Sequence, residues 1–135
     1  MSTQSPSASP EVSDEDLLAG ASRLESCWYT GPRLWHGTSG ESVTGARTAA
    51  HLETAIGLLE REGWEPGQFG LREVLAGPQD LTDVSLKVLE LVICARTGAG
   101  SAEPRLWDRV PGRTVTEVRA LLLAGAAYAR RYGPA

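Results

Sequence analysis

The chain has 135 residues, and its shares of apolar (41 %) and charged (22 %) residues are those of one globular domain rather than of a disordered or fibrous chain. Its longest unbroken apolar run, Ala120 to Ala129, falls well short of the ~20 residues that a membrane span needs, which excludes a transmembrane helix. The formal charge of −4 is unevenly spread: acids outnumber bases up to Ala95, whereas the last third carries seven arginines against Glu103, Asp108 and Glu117.

Residues 1–12 are small, polar and Pro-containing, too poor in apolar surface to offset the entropy of ordering, and read as a disordered tail. Residues 13–135 then form a single helical domain, large enough at roughly 120 residues to need no disulfide or metal staple. Ser13 followed by Asp14, Glu15 and Asp16 is a helix start, with a capping hydroxyl and carboxylates at the positive end of the helix dipole. Leu17, Leu18, Ala21 and Leu24 give that helix one apolar face to about Ser26.

From Cys27 to Ala46 aromatics mix with Gly, Pro, Ser and Thr. Gly31-Pro32 marks a turn, and residues 27–36 read equally as a small β-hairpin or as a structured loop. Thr48 then offers a cap for a helix whose stripe is Leu52, Ala55, Ile56 and Leu59, ending at Gly63, and Pro66-Gly67 separates it from a short helix over Leu71 to Ala76. Leu81, Val84, Val88, Leu91, Val92 and Ala95 recur at helical steps, widened by Leu89 and Ile93, so the helix ending near Thr97 should be central and buried on most sides. Glu103 to Asp108 can form one turn with Pro104 at its first position. Thr114-Val115-Thr116-Glu117 is a capping box that opens the last helix, with Arg130 and Arg131 at its carboxyl end. The expected fold is mainly α, a compact bundle of four to five helices.

Two segments carry a resemblance: Arg61-Glu62-Gly63-Trp64 before Pro66-Gly67, and Leu106-Trp107-Asp108-Arg109-Val110-Pro111-Gly112-Arg113-Thr114 leading into Glu117 to Leu122. Together they resemble a family of small, uncharacterised actinobacterial proteins with a helix ending in Gly-Trp and a Trp-Asn-Asp-x-Pro-Gly-Arg-Thr stretch before a terminal helix. The likeness covers roughly residues 47–122 and departs from the pattern in keeping only Asp108 of the two polar residues and in its middle segment, FGLREVLAGPQD. It implies a helical fold and an actinobacterial origin, and carries over no catalytic residue.

Cys27 and Cys94 lie far apart without metal or redox spacing, and no secretory signal precedes them, so reduced thiols in a cytoplasm are expected. Neither His36 nor His51 has a His or Cys three or four residues away, so no metal and no cofactor are implied. Gly37-Thr38-Ser39-Gly40 lacks a nucleophile-elbow pattern, and Gly98-Ala99-Gly100 is only a fragment of a dinucleotide loop. Two clusters remain as candidate binding sites. The first is the aromatic loop, Trp28, Tyr29, Trp35 and His36, which can line a partner-binding surface or serve as a lid on the core. The second is Arg105, Trp107, Asp108, Arg109 and Arg113, either a basic face for a phosphate or acidic partner, or a structural corner in which Trp107 anchors and Asp108 accepts amides of the Pro-Gly turn. The preferred expectation is a non-enzymatic module that binds a protein partner. A nucleic-acid-binding accessory protein using residues 96–135 comes second, and a small hydrolase or transferase third.

Overall fold

A computed structural model of the chain describes residues 14–65 and 68–135; the expected tail, the Ser13 cap and the Pro66-Gly67 turn lie outside them. Six helices follow in order: α1 (Asp14–Trp28), α2 (Gly45–Glu62), α3 (Leu71–Val74), α4 (Gln79–Thr97), α5 (Pro104–Trp107) and α6 (Val115–Tyr132), with one 3-10 turn at Arg33–Trp35. The four long helices form a mainly α bundle. Among the described residues no helix is long and apolar enough to cross a membrane.

The periodicity of α4 makes it the central element. Val84, Val88, Leu89, Leu91, Val92 and Ile93 are buried around most of its circumference, and it packs against α1, α2 and α6. Each fully buried Leu or Val removes enough apolar surface from water to contribute about 1.5–3 kcal/mol. The α2–α6 pair makes the most extensive helix contact. Gly125 lets the helices close up, because a Cβ there would stand 2.7 Å from Leu89 Cδ2 and 3.2 Å from Leu52 Cδ1.

The segment 27–36 contains no hairpin. Cys27 and Trp28 extend α1, and Leu34 and Trp35 sit in the 3-10 turn, where Trp35 N–H donates to the Pro32 carbonyl at 2.9 Å. A strand would send these two neighbours to opposite faces, whereas the turn buries both in one core. His36 and Ser42 form one isolated antiparallel bridge.

Helix α2 starts earlier than Thr48. Thr44 is its cap, with its hydroxyl accepting from Arg47 N–H at 3.1 Å, while Thr48 is buried and donates its hydroxyl to the Thr44 carbonyl at 2.9 Å. Gly45 N–H is taken by the Pro134 carbonyl at 2.9 Å, so the carboxyl end of the chain supplies the partner that a helix's first amides lack. The capping box at Thr114 and Glu117 forms as expected, Glu117 N–H donating to Thr114 Oγ1 at 3.2 Å and Thr114 N–H to Glu117 Oε1 at 2.9 Å.

Candidate functional site

The aromatic loop divides into an anchor and a rim. Trp35, expected among the binding residues, is 2 % exposed; it donates its indole N–H to Glu25 Oε2 at 2.9 Å and stacks on Tyr128 with ring centroids 6.3 Å apart. Burial of so large a ring is favourable, and Glu25 satisfies its one polar atom. Tyr128, fully buried on α6, donates its hydroxyl to the other oxygen of the same carboxylate. Burial first, and then Glu25, push the Tyr128 phenol far above its ordinary range. Trp35 therefore fixes the loop to α1 and α6 and is out of a partner's reach.

Trp28, Tyr29 and His36 stay at the surface and, with Thr30, Arg33, Thr38 and Lys87, line a hollow of about 720 Å³. Its far wall is α4. Thr38 donates both its N–H, at 3.1 Å, and its hydroxyl to Asp83 Oδ2. Ser39 donates its N–H to Asp80 Oδ1 at 3.0 Å and its hydroxyl to Asp80 Oδ2 at 2.5 Å. The Ser39 hydrogen bonds hold the Asp80 carboxyl below its usual range; at Asp83 burial opposes ionisation, but the bonds from Thr38 and Gln79 outweigh it. Gly37 is required, because the Asp80 side chain occupies the place its Cβ would take.

Lys87, the sole lysine of the chain, lines the hollow from α4. Its ammonium donates to the His36 carbonyl at 3.0 Å and stands 5.8 Å from the centroid of the Tyr29 ring, a cation–π arrangement that orients it. Lys87 also lines a second hollow of about 340 Å³ that reaches Glu103, Pro104 and Arg105. Through this one side chain the aromatic rim and the arginine cluster become neighbours.

The Trp107 cluster is mainly a built corner. Arg113 lies over the Trp107 ring at 3.8 Å and donates its Nε–H to the Trp107 carbonyl at 3.0 Å, so both side chains serve the turn that leads into α6. Asp108, 2 % exposed, accepts an amide as expected, but that of Leu71, at 2.8 Å, rather than one in its own Pro-Gly turn. Burial raises its carboxyl above the ordinary range, and the Leu71 hydrogen bond only partly offsets this. The Trp64 indole N–H lies close by, yet outside hydrogen-bond geometry. Arg109 is exposed and Arg105 is held by Glu103 at 2.8 Å. With Arg72, Glu73 and Asp108 they surround a cavity of only about 60 Å³.

The chain matches no protein-family model, no curated protein and no solved structure.

Tertiary structure redistributes the charge of the last third. Arg105, Arg113, Arg119, Arg130 and Arg131 each pair with a carboxylate, the last three with Glu60, Glu53 and Glu15 of the acidic first half. Cys94 is buried in the core, Cys27 is exposed on α1, and a ring nitrogen of His51 is hydrogen-bonded to the Leu75 carbonyl at 3.0 Å. Among the described residues no three His, Cys, Asp or Glu side chains gather to hold a metal.

Sequence inspection missed Arg33, Thr38 and Lys87 as lining residues. A signal for Lys87 existed: Asp80, Asp83 and Lys87 share one helical face, a polar strip beside the apolar stripe of the same helix.

Proposed function

We propose that the protein is a non-enzymatic binding module that holds a partner protein in the hollow beneath its aromatic rim. The observation that carries this is the division of labour within residues 28–38: Trp35 is locked into the core by Glu25 and Tyr128, while Trp28 and Tyr29 stay accessible beside Arg33 and Lys87. A rigid floor under accessible aromatics keeps low the entropy lost on binding, and aromatic and arginine side chains are the groups that dominate protein interfaces. Against the nucleic-acid alternative stands the pairing of the α6 arginines with carboxylates, because a polyanion needs a long run of unpaired cations.

The test is affinity capture from cells of the native host, comparing the wild type with Trp28→Ala/Tyr29→Ala and Arg109→Ala/Arg113→Ala, together with photo-cross-linking from a benzophenone side chain at Thr30. A protein captured by the wild type, lost with the aromatic variant, kept by the arginine variant and cross-linked from position 30 supports the proposal. Capture indifferent to Trp28 and Tyr29, or nucleic acid recovered in the partner's place, overturns it.

A further inference from the structure

The chemistry of the partner follows from which charges around the two hollows are already in use. Glu90 and Glu103 line the second hollow, Asp83 is bonded to Thr38 of the first and Glu25 to the buried Trp35, and each of these acids is committed within the chain. Glu25 accepts from Trp35 and Tyr128, Asp83 from Thr38 and Gln79, Glu90 from the Ala102 amide at 2.9 Å, and Glu103 from Arg105. The cations are less engaged. Arg33 makes no ion pair or side-chain hydrogen bond among the described residues. Lys87 gives a single hydrogen bond, to the neutral His36 carbonyl, although an ammonium carries three donors; Asp83 feels its charge without reaching ion-pair distance.

Arg33 lines the first hollow, Lys87 both, and Arg105 the second, so a ligand reaching all three has to be extended. The walls are Trp28 and Tyr29 at one end and Leu86 and Pro104 at the other. We infer that these two hollows, which share Lys87, take an acidic, extended segment of the partner protein, its carboxylates received by Arg33 and Lys87 and an apolar side chain laid against Trp28 and Tyr29. The inference rests on the binding proposal above. A protein segment fits better than a nucleic acid because the cations are few and interrupted by carboxylates, which a backbone with a charge at every nucleotide would meet at close range.

The experiment uses the full chain and three probe peptides, acetyl-EEFEE-amide, acetyl-QQFQQ-amide and acetyl-KKFKK-amide, titrated while the Trp28 indole N–H resonance is followed by NMR. The acidic probe is expected to shift that resonance, the neutral one to bind more weakly and the basic one not to bind. Arg33→Glu alters an exposed side chain with no internal partner, so it should keep the fold, as circular dichroism would verify, and raise the acidic probe's dissociation constant by about tenfold or more. Lys87→Gln should act in the same direction. Equal binding of the three probes, an unchanged constant in Arg33→Glu, or displacement of the acidic probe by a single-stranded oligonucleotide would overturn the inference. Failure here is separable from failure of the binding proposal: a natural partner lost with Trp28→Ala/Tyr29→Ala yet retained by Arg33→Glu leaves the groove in place and removes only its preference for acid.

Discussion

Asp108 accepts the amide of Leu71, 37 residues earlier in the chain, and does so almost wholly out of contact with water. The carboxylate thereby caps α3, whose preceding amide, Gly70 N–H, is taken by Glu73 at 2.8 Å. Asp108→Ala leaves the Leu71 amide without its acceptor and should cost about 1–3 kcal/mol in urea denaturation. A variant as stable as the wild type would show that water replaces the carboxylate freely.

The same residue sets a pH dependence. Its carboxyl is raised in the folded state, chiefly by burial, so the folded chain binds the proton more tightly than the unfolded one. Its contribution to stability is complete below the ordinary aspartate value of 3.8 and declines as pH rises through the folded value. Asp108→Asn keeps an acceptor oxygen but no ionisation. The stability of wild type relative to Asp108→Asn should therefore fall between pH 3 and pH 7, a comparison that denaturant melts at the two pH values would make.

Tyr128 gives the opposite end of the scale. Its folded phenol is pushed above 10.0, so the stability it contributes is complete below that value and is lost as pH climbs beyond it. Tyr128→Phe should lower stability at neutral pH by about 1.5–3 kcal/mol, the range for a hydrogen bond to a charged group, and should flatten the alkaline decline. An unchanged alkaline slope would mean that Tyr128 is not its source.

Gly45 illustrates a backbone demand. In a helix interior alanine has the better propensity by about 1 kcal/mol, but at this first position of α2 a Cβ would run into the Ala129 carbonyl and stand 2.8 Å from Gly133 Cα. Backbone cannot yield as a side-chain tip does. Gly45→Ala should be destabilising, by about 1–3 kcal/mol on the scale of overpacked sites, and a stabilised variant in equilibrium unfolding would refute the close approach.

Charge pairing on α6 can be tested by removing its carboxylates. Glu15→Gln/Glu53→Gln/Glu60→Gln would release Arg131, Arg130 and Arg119. The triple variant should be retained on heparin at low salt, and the wild type should pass through. Equal retention of both would revive residues 96–135 as a nucleic-acid surface.

Much of this architecture was legible in the residues alone. Helical spacing in α4 and α6, the reciprocal Thr114–Glu117 cap and the stop at Gly98 are local matters, settled by side chains within one or two turns of each other, and such patterns survive any packing arrangement. The α2 boundary was harder: Thr48 has the chemistry of a cap, but it is buried in the folded chain and Thr44 caps the helix instead. The site lay further from view. Whether Trp35 faced a partner or the core depended on Glu25 and on Tyr128, 103 residues from Glu25, and three arginines of the apparent basic third are paired with acids more than 50 positions away. Composition and periodicity determined that the chain would be a helical bundle, because burial of an apolar stripe is a property of one helix at a time. Which aromatics remain accessible and which charges remain unspent depended on contacts between helices, whose energies arise only once loops bring distant side chains within a few ångströms.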